Sequence, residues 1–174
     1  MKKLLVLFLV LALPIFAFAS DFQLGAVGMY TGTIEQLKAK DVQLDDFTFG
    51  AEARLKLSFF QVGTSLLYYP ANVDMLLPPY LVALTDVGLS VDLSLLRLGV
   101  GLGPNFSIAL GPEGAGQPAS FGLNMKLVAD VNVGNISVGL VGFYYFESFN
   151  DLKNVGDKFK SLPWFGITAL VKVF

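Results

Sequence analysis

The sequence predicts an all-β fold: an eight-stranded, antiparallel, up-and-down transmembrane β-barrel, with short periplasmic turns at one end and four longer extracellular loops at the other. Three observations lead there. Apolar and polar residues alternate with a period of two along most of the chain, as in a strand whose successive side chains point to opposite faces. The composition is too apolar for an ordinary soluble surface: 54% of the 174 residues are hydrophobic and 15% charged, with a mean hydropathy of +0.63. Beyond the N-terminal segment, however, no apolar run approaches the roughly 18 residues of a membrane helix. The best candidate, Met75 to Leu84, is broken by Pro78 and Pro79. Finally, the connections between alternating segments are long and very short in turn. Hydrocarbon admits only helices and closed barrels, because nothing else pairs every backbone group.

The N-terminus reads as an export signal. Lys2 and Lys3 precede an apolar stretch from Leu4 to Phe18, and Ala17-Phe18-Ala19 offers small residues at the two positions a signal peptidase reads. Residues 1–19 are therefore expected to be a cleaved secretory signal, and 20–174 one barrel domain. Loss of Lys2 and Lys3 leaves ten of the twelve Lys and Arg against fourteen Asp and Glu, a formal charge of −4. No basic patch points to nucleic acid. Cysteine is absent, so there is neither a disulfide framework nor a lipidated cysteine.

The first strand, Asp21 to Thr31, has poorly resolved faces because Gly25, Ala26 and Gly28 are small. The polar stretch from Gly32 to Asp46 reads as a loop, in which Ile34 to Lys40 has room for a turn of helix. The second strand, Phe47 to Phe59, is the plainest: Phe47, Phe49, Ala51, Ala53, Leu55, Leu57 and Phe59 alternate with Thr48, Gly50, Glu52, Arg54, Lys56 and Ser58. The third, Phe60 to Tyr69, follows after a tight turn and ends at Pro70. An unusually apolar connection then runs through Met75, Leu76, Leu77, Tyr80 and Leu81.

In the fourth strand, about Ala83 to Ser94, Val87, Leu89, Val91 and Leu93 oppose Asp86, Gly88, Ser90 and Asp92. The fifth begins at Leu96, sets Arg97 and Gly99 against Leu98 and Val100, and keeps its parity to Leu110 across an irregularity at Pro104. Gly111 to Ser120 is a loop. The sixth strand, Phe121 to Val133, carries Asn124, Lys126 and Asp130 on its polar face, with Val128 an apolar exception. Gly134-Asn135 signals a two-residue hairpin into the seventh strand, Ile136 to Phe146. After the polar segment Glu147 to Ser161, the eighth runs from Pro163 to Phe174. Connections after the first, third, fifth and seventh strands are long, the others very short. Aromatics sort to the strand ends, most to the long-loop end and Phe22, Phe59, Phe60 and Phe174 to the other, as two membrane interfaces favour.

A soluble barrel with its apolar face inside would need a charged outer surface on every strand. Here the polar faces hold about one charge per strand and otherwise Gly, Ser and Asn, which suit a narrow interior. A Lys or Arg facing lipid at mid-depth costs roughly 2–4 kcal/mol, so Arg54 and Lys56 are expected inside. The inward set is then Glu52, Arg54, Lys56, Asp86, Asp92, Arg97, Lys126 and Asp130, four acids and four bases. They are expected to pair and plug the lumen, since an unpaired buried charge is very costly.

In its period, its alternating connections and its terminal Phe174, the chain resembles the small bacterial outer-membrane barrels of the OmpA transmembrane-domain, OmpX and OmpW kind. The resemblance covers the whole chain after the leader and is architectural. It implies a monomer in the outer membrane, with outer-membrane lipid around it. Periplasmic chaperones and the barrel-assembly machinery, which reads a terminal Phe with alternating apolar residues, would be its assembly partners. Phe174 fits that signal, but the register departs: counting back by twos gives Lys172, Leu170 and Thr168, whereas Phe165, Ile167, Ala169, Val171 and Val173 form the apolar set.

Two roles follow from the resemblance. One is a structural or surface-interaction barrel whose loops meet host or envelope ligands. The other is a porin-like or OmpW-like conduit for small or hydrophobic solutes, with Met75, Leu76, Leu77, Tyr80 and Leu81 as a hydrophobic loop site. Enzymes among such barrels use a catalytic histidine; this chain has no histidine, so catalysis is not expected. No cofactor is implied, and no metal-ligand or phosphate-binding spacing is present.

Overall fold

A computed structural model describes residues 21–70, 78–111, 120–146 and 164–173. Eight strands form a closed barrel in which each pairs antiparallel with its sequence neighbour, and the last pairs with the first. They are β1 (Asp21–Tyr30), β2 (Phe47–Leu57), β3 (Phe60–Tyr69), β4 (Tyr80–Leu93), β5 (Leu96–Ala109), β6 (Ser120–Val133), β7 (Ile136–Phe146) and β8 (Trp164–Lys172). The up-and-down barrel and its alternating connections match the expectation from period and turn spacing. The expected leader, the terminal Phe174, and Met75, Leu76 and Leu77 lie outside the described residues.

The start of the fourth strand differs from the sequence reading. β4 starts at Tyr80, not near Ala83, so Tyr80 and Leu81 belong to the wall and not to the loop. They extend the β3 ladder through Tyr69↔Tyr80 and Tyr68↔Leu81; an apolar stretch after two prolines is as good a strand as a loop once a partner is beside it. The turn of helix in the first long connection is real: α1 (Ile34–Ala39) is held by a capping box between Thr33 and Gln36. A 3-10 turn at Leu44–Asp46 follows, and Gln36 Nε2 donates to Asp46 Oδ1 at 3.2 Å to tie the two together.

The short connections are two-residue hairpins at 58–59, 94–95 and 134–135. Their first residues, Ser58, Ser94 and Gly134, have φ of 59°, 61° and 59°. That left-handed first position matches the twist of the flanking strands, at a steric cost where the residue is not glycine. Tight closure also needs room between neighbouring backbones. A Cβ on inward-facing Gly88 would collide with the Val100 carbonyl, and one on Gly50 with that of Leu66; glycines at such points let the wall bend.

Pro104 interrupts the β4–β5 ladder without shifting it: Leu84↔Asn105 and Val87↔Leu102 keep one register, with no pairing of Thr85 and Asp86 between them. The freed carbonyls are served from the lumen. Asn124 Nδ2 donates to Thr85 O at 2.7 Å and to Gly103 O at 3.1 Å. On the outside, the Thr85 hydroxyl donates to Pro104 O at 2.7 Å. Asn105 does the same service one seam along, donating to Leu123 O and Phe146 O.

Ser94→Gly is expected to raise the unfolding free energy by about 0.5–1 kcal/mol by relieving the left-handed strain. Gly88→Ala should lower it by roughly 1–3 kcal/mol by overpacking. Urea unfolding of the refolded barrel, followed by the loss of β-sheet circular dichroism, measures both.

Candidate functional site

The strands carry ten charged residues, and all ten occupy inward positions: Asp21, Glu52, Asp86, Asp92 and Asp130 against Arg54, Lys56, Arg97, Lys126 and Lys172. Outward positions are apolar apart from Thr64, Thr85 and tyrosines. Leu102, Leu140 and Ile167, for instance, are each more than 60% exposed. The distribution is inverted relative to a soluble barrel, whose apolar face turns in and polar face out.

The eight sequence-predicted lumen residues come together in two layers. In the middle of the barrel, Arg54 bridges Glu52 and Asp130 through Nε and Nη1. Lys126 Nζ lies 2.6 Å from Glu52 Oε1 and 3.5 Å from Asp86 Oδ2. Ser65 donates to Glu52 at 3.1 Å, and Arg54 Nη2 to Thr168 Oγ1 at 3.3 Å. Near the short-turn end, Asp92 holds Lys56 and also Arg97, at 2.8 Å. Arg97 reaches on to Asp21 at 2.6 Å and to Gln23 Oε1 at 3.1 Å. Strands β2 and β6 stand four places apart in the ring of eight, as do β1 and β5. The Arg54–Asp130, Glu52–Lys126 and Asp21–Arg97 pairs therefore cross the barrel from wall to wall.

The layers differ in balance. The middle layer holds three carboxylates against two cations, and Asp86 is the most loosely held: it is 1% exposed, its ion pair is the 3.5 Å approach to Lys126, and neither of its oxygens accepts a hydrogen bond among the described residues. Its carboxylate fills space left by Gly63 and Gly101, where a Cβ would sit 2.5 and 2.6 Å from its oxygens. Lys172 ends β8 on the inward parity near the other layer, opposite Gln23. Its parity is that of Thr168 and Leu170, both buried in the lumen, so the lysine belongs to the inner set and Val171 and Val173 to the outer.

Several members of the site were not foreseen. Asp21 and Gln23 were hidden because β1 has small residues on both faces; the spacing Asp21-x-Gln23-x-Gly25 was the available signal. The larger omission is the upper lumen. Val27, Met29, Leu67, Val82, Leu84, Val128, Val141 and Phe143 form a buried apolar cluster above the ion pairs, with Tyr69, Tyr80, Tyr145 and Trp164 packed against it. Val128, an exception on its polar face, is thereby explained. Tyr145 stacks on Trp164 at 4.7 Å between centroids, and Tyr69 tilts against the same ring at 5.7 Å. Lys126 Nζ stands 5.2 Å from the centroid of Phe143, where the ionic layer meets the apolar one. The long-loop end thus divides its aromatics. Phe49, Tyr68, Phe106, Phe121 and Phe165 face outward and exposed; Tyr69, Tyr145 and Trp164, expected in the outer girdle, turn into the lumen.

The arrangement can seal, and by pairing it can hold opposite walls together. Of the apolar residues foreseen as a hydrophobic loop site, Tyr80 faces the lumen cluster and Leu81 the outer wall. No known protein family, curated protein or solved structure matches the chain.

Arg54→Ala strands Glu52 and Asp130 and should cost roughly 3–5 kcal/mol, as loss of one partner of a buried pair does. Combining it with Asp130→Ala should recover part of that loss, because the two residues are coupled. Asp86→Asn should change stability by no more than about 1 kcal/mol, since it removes an excess charge that accepts no hydrogen bond. Equal losses in Asp86→Asn and Arg54→Ala, measured by denaturant unfolding, would contradict the two-layer account.

Proposed function

We propose that the protein is an integral outer-membrane barrel of bacteria with a plugged lumen, acting structurally or through surface contacts made by its long loops. One observation carries this reading: an outer wall without a single charged residue on its strands encloses a lumen whose ten strand charges are set mostly in ion pairs. Such a wall is suited to lipid and not to water. Charges linked across the diameter and an apolar cluster above them occupy the narrow lumen, which favours a plug over a conduit. The likeness to the small OmpA, OmpX and OmpW type of barrel supports the same compartment. With the lumen filled, specific recognition falls to the loops, and the connection at 31–46 carries α1 and the 3-10 turn. The leader, the assembly machinery and the absence of catalysis belong to this proposal as expectations.

A heat-modifiability gel on the outer-membrane fraction tests the compartment. A folded barrel should run faster unboiled than boiled; recovery in the soluble periplasm with no shift would overturn the reading. Liposome swelling and planar-bilayer recording test the plug. Wild type should give no large stable channels, and such channels would establish the conduit instead. Replacing residues 32–46 with a short glycine-serine linker should leave the barrel folded while abolishing any surface adhesion that it supports.

A further inference from the structure

The outer wall has one recess that the plugged lumen does not explain. Where β8, β1 and β2 meet, Ala26 stands opposite Ala51 on one side and Ala169 on the other. One outward position higher, Gly28 stands between Phe49 and Ile167. Missing side chains on β1 leave a groove of about 550 Å³ with Gly28 at its floor and Phe49, Ile167 and Phe165 along its sides. The volume lies within the range of pockets that hold small apolar ligands.

Its upper end is built, not incidental. Tyr30, on the outward parity, is only 4% exposed. Its ring packs between Phe47 at 5.5 Å and Phe165 at 5.4 Å, and its hydroxyl donates to Thr33 O at 3.1 Å. Leu44, from the 3-10 turn, overhangs the groove and is otherwise bare, at 84% exposure.

We propose that this groove seats one acyl chain of a membrane lipid, entering beneath Leu44 at the aromatic level and lying down the wall over Gly28. The proposal rests on the membrane reading above. The groove is continuous with the apolar outer face that this reading gives to lipid. Its side chains offer no hydrogen-bonding group that would call for a polar ligand, since the one hydroxyl beside it, that of Tyr30, is spent on Thr33. A second barrel would present the same convex wall and reach in only with single side chains, whereas a run of methylenes can follow the length of the recess.

The full-length protein, refolded into vesicles of palmitoyl-oleoyl phosphatidylethanolamine and phosphatidylglycerol and extracted in mild detergent, is examined by native mass spectrometry. Wild type should retain one phospholipid per barrel. Gly28→Leu fills the floor; a Cβ there meets only the movable Phe49 ring, at 3.3 Å. It should weaken retention about tenfold, the equivalent of roughly two buried methylenes. Leu44→Ser removes the overhang from outside the ladder, should also weaken retention, and decides the matter if Gly28→Leu fails to fold. Val100→Leu on the far wall should change nothing. Equal retention in all four proteins overturns the proposal, as does a lipid-free dimer. A folded barrel that does not float with the vesicles overturns the membrane reading itself, and is told apart by flotation alone.

Discussion

The width of an eight-stranded barrel governs this molecule. Such a ring leaves room inside for side chains and little else, so charged groups from opposite walls are forced into contact. Arg54 on β2 can reach Asp130 on β6, and Arg97 on β5 can reach Asp21 on β1, because nothing wider separates them. The same narrowness makes neutralisation compulsory, since a lone charge in that space has neither water nor a partner. It also explains the inward glycines at points of close backbone approach, and the paired duties of Asn105 and Asn124. Each of these lumen amides donates to carbonyls of two strands at once, satisfying backbone groups that the ladder leaves open.

On the proposed membrane location, the outer face obeys the complementary constraint. Hydrocarbon exacts several kcal/mol for each unpaired backbone group and roughly 2–4 kcal/mol for a mid-depth cation. Closure answers the first and the inward parity of Arg54, Lys56, Arg97, Lys126 and Lys172 the second. Even the defect at Pro104 is repaired on both sides, by Asn124 from within and by Thr85 from without.

The lumen is filled by two chemically different plugs, and this bears on function. Ion pairs tie walls to one another across the short-turn half, while the aromatic cluster of Tyr69, Tyr145 and Trp164 packs the long-loop half. On the proposed reading, a narrow barrel filled by both leaves recognition to its surfaces: the loops above, and the recessed strip of wall over Gly28 beside them.

Much of this was legible in the chain. Alternation in Phe47–Leu57 and its counterparts marks the strands, because pleating makes side-chain direction a period-two property of the sequence itself. Two-residue hairpins and long loops in turn fix an antiparallel up-and-down order. The charge-free apolar parity decides which face is outside, and the eight foreseen lumen residues all point inward. What the sequence could not supply was who meets whom. Pairings across the diameter depend on strand number and stagger, which are properties of the closed ring, so Asp21 and Thr168 joined the network only in three dimensions. Height along the barrel was equally hidden: alternation separates inside from outside but says nothing of level, so the apolar cluster above the ion pairs, and the packing of Tyr69, Tyr145 and Trp164 against it, emerged only when the walls were set side by side. Local chemistry thus determined the strands and their two faces, and closure alone determined the contacts across the diameter, because these join residues about 75 positions apart in the chain.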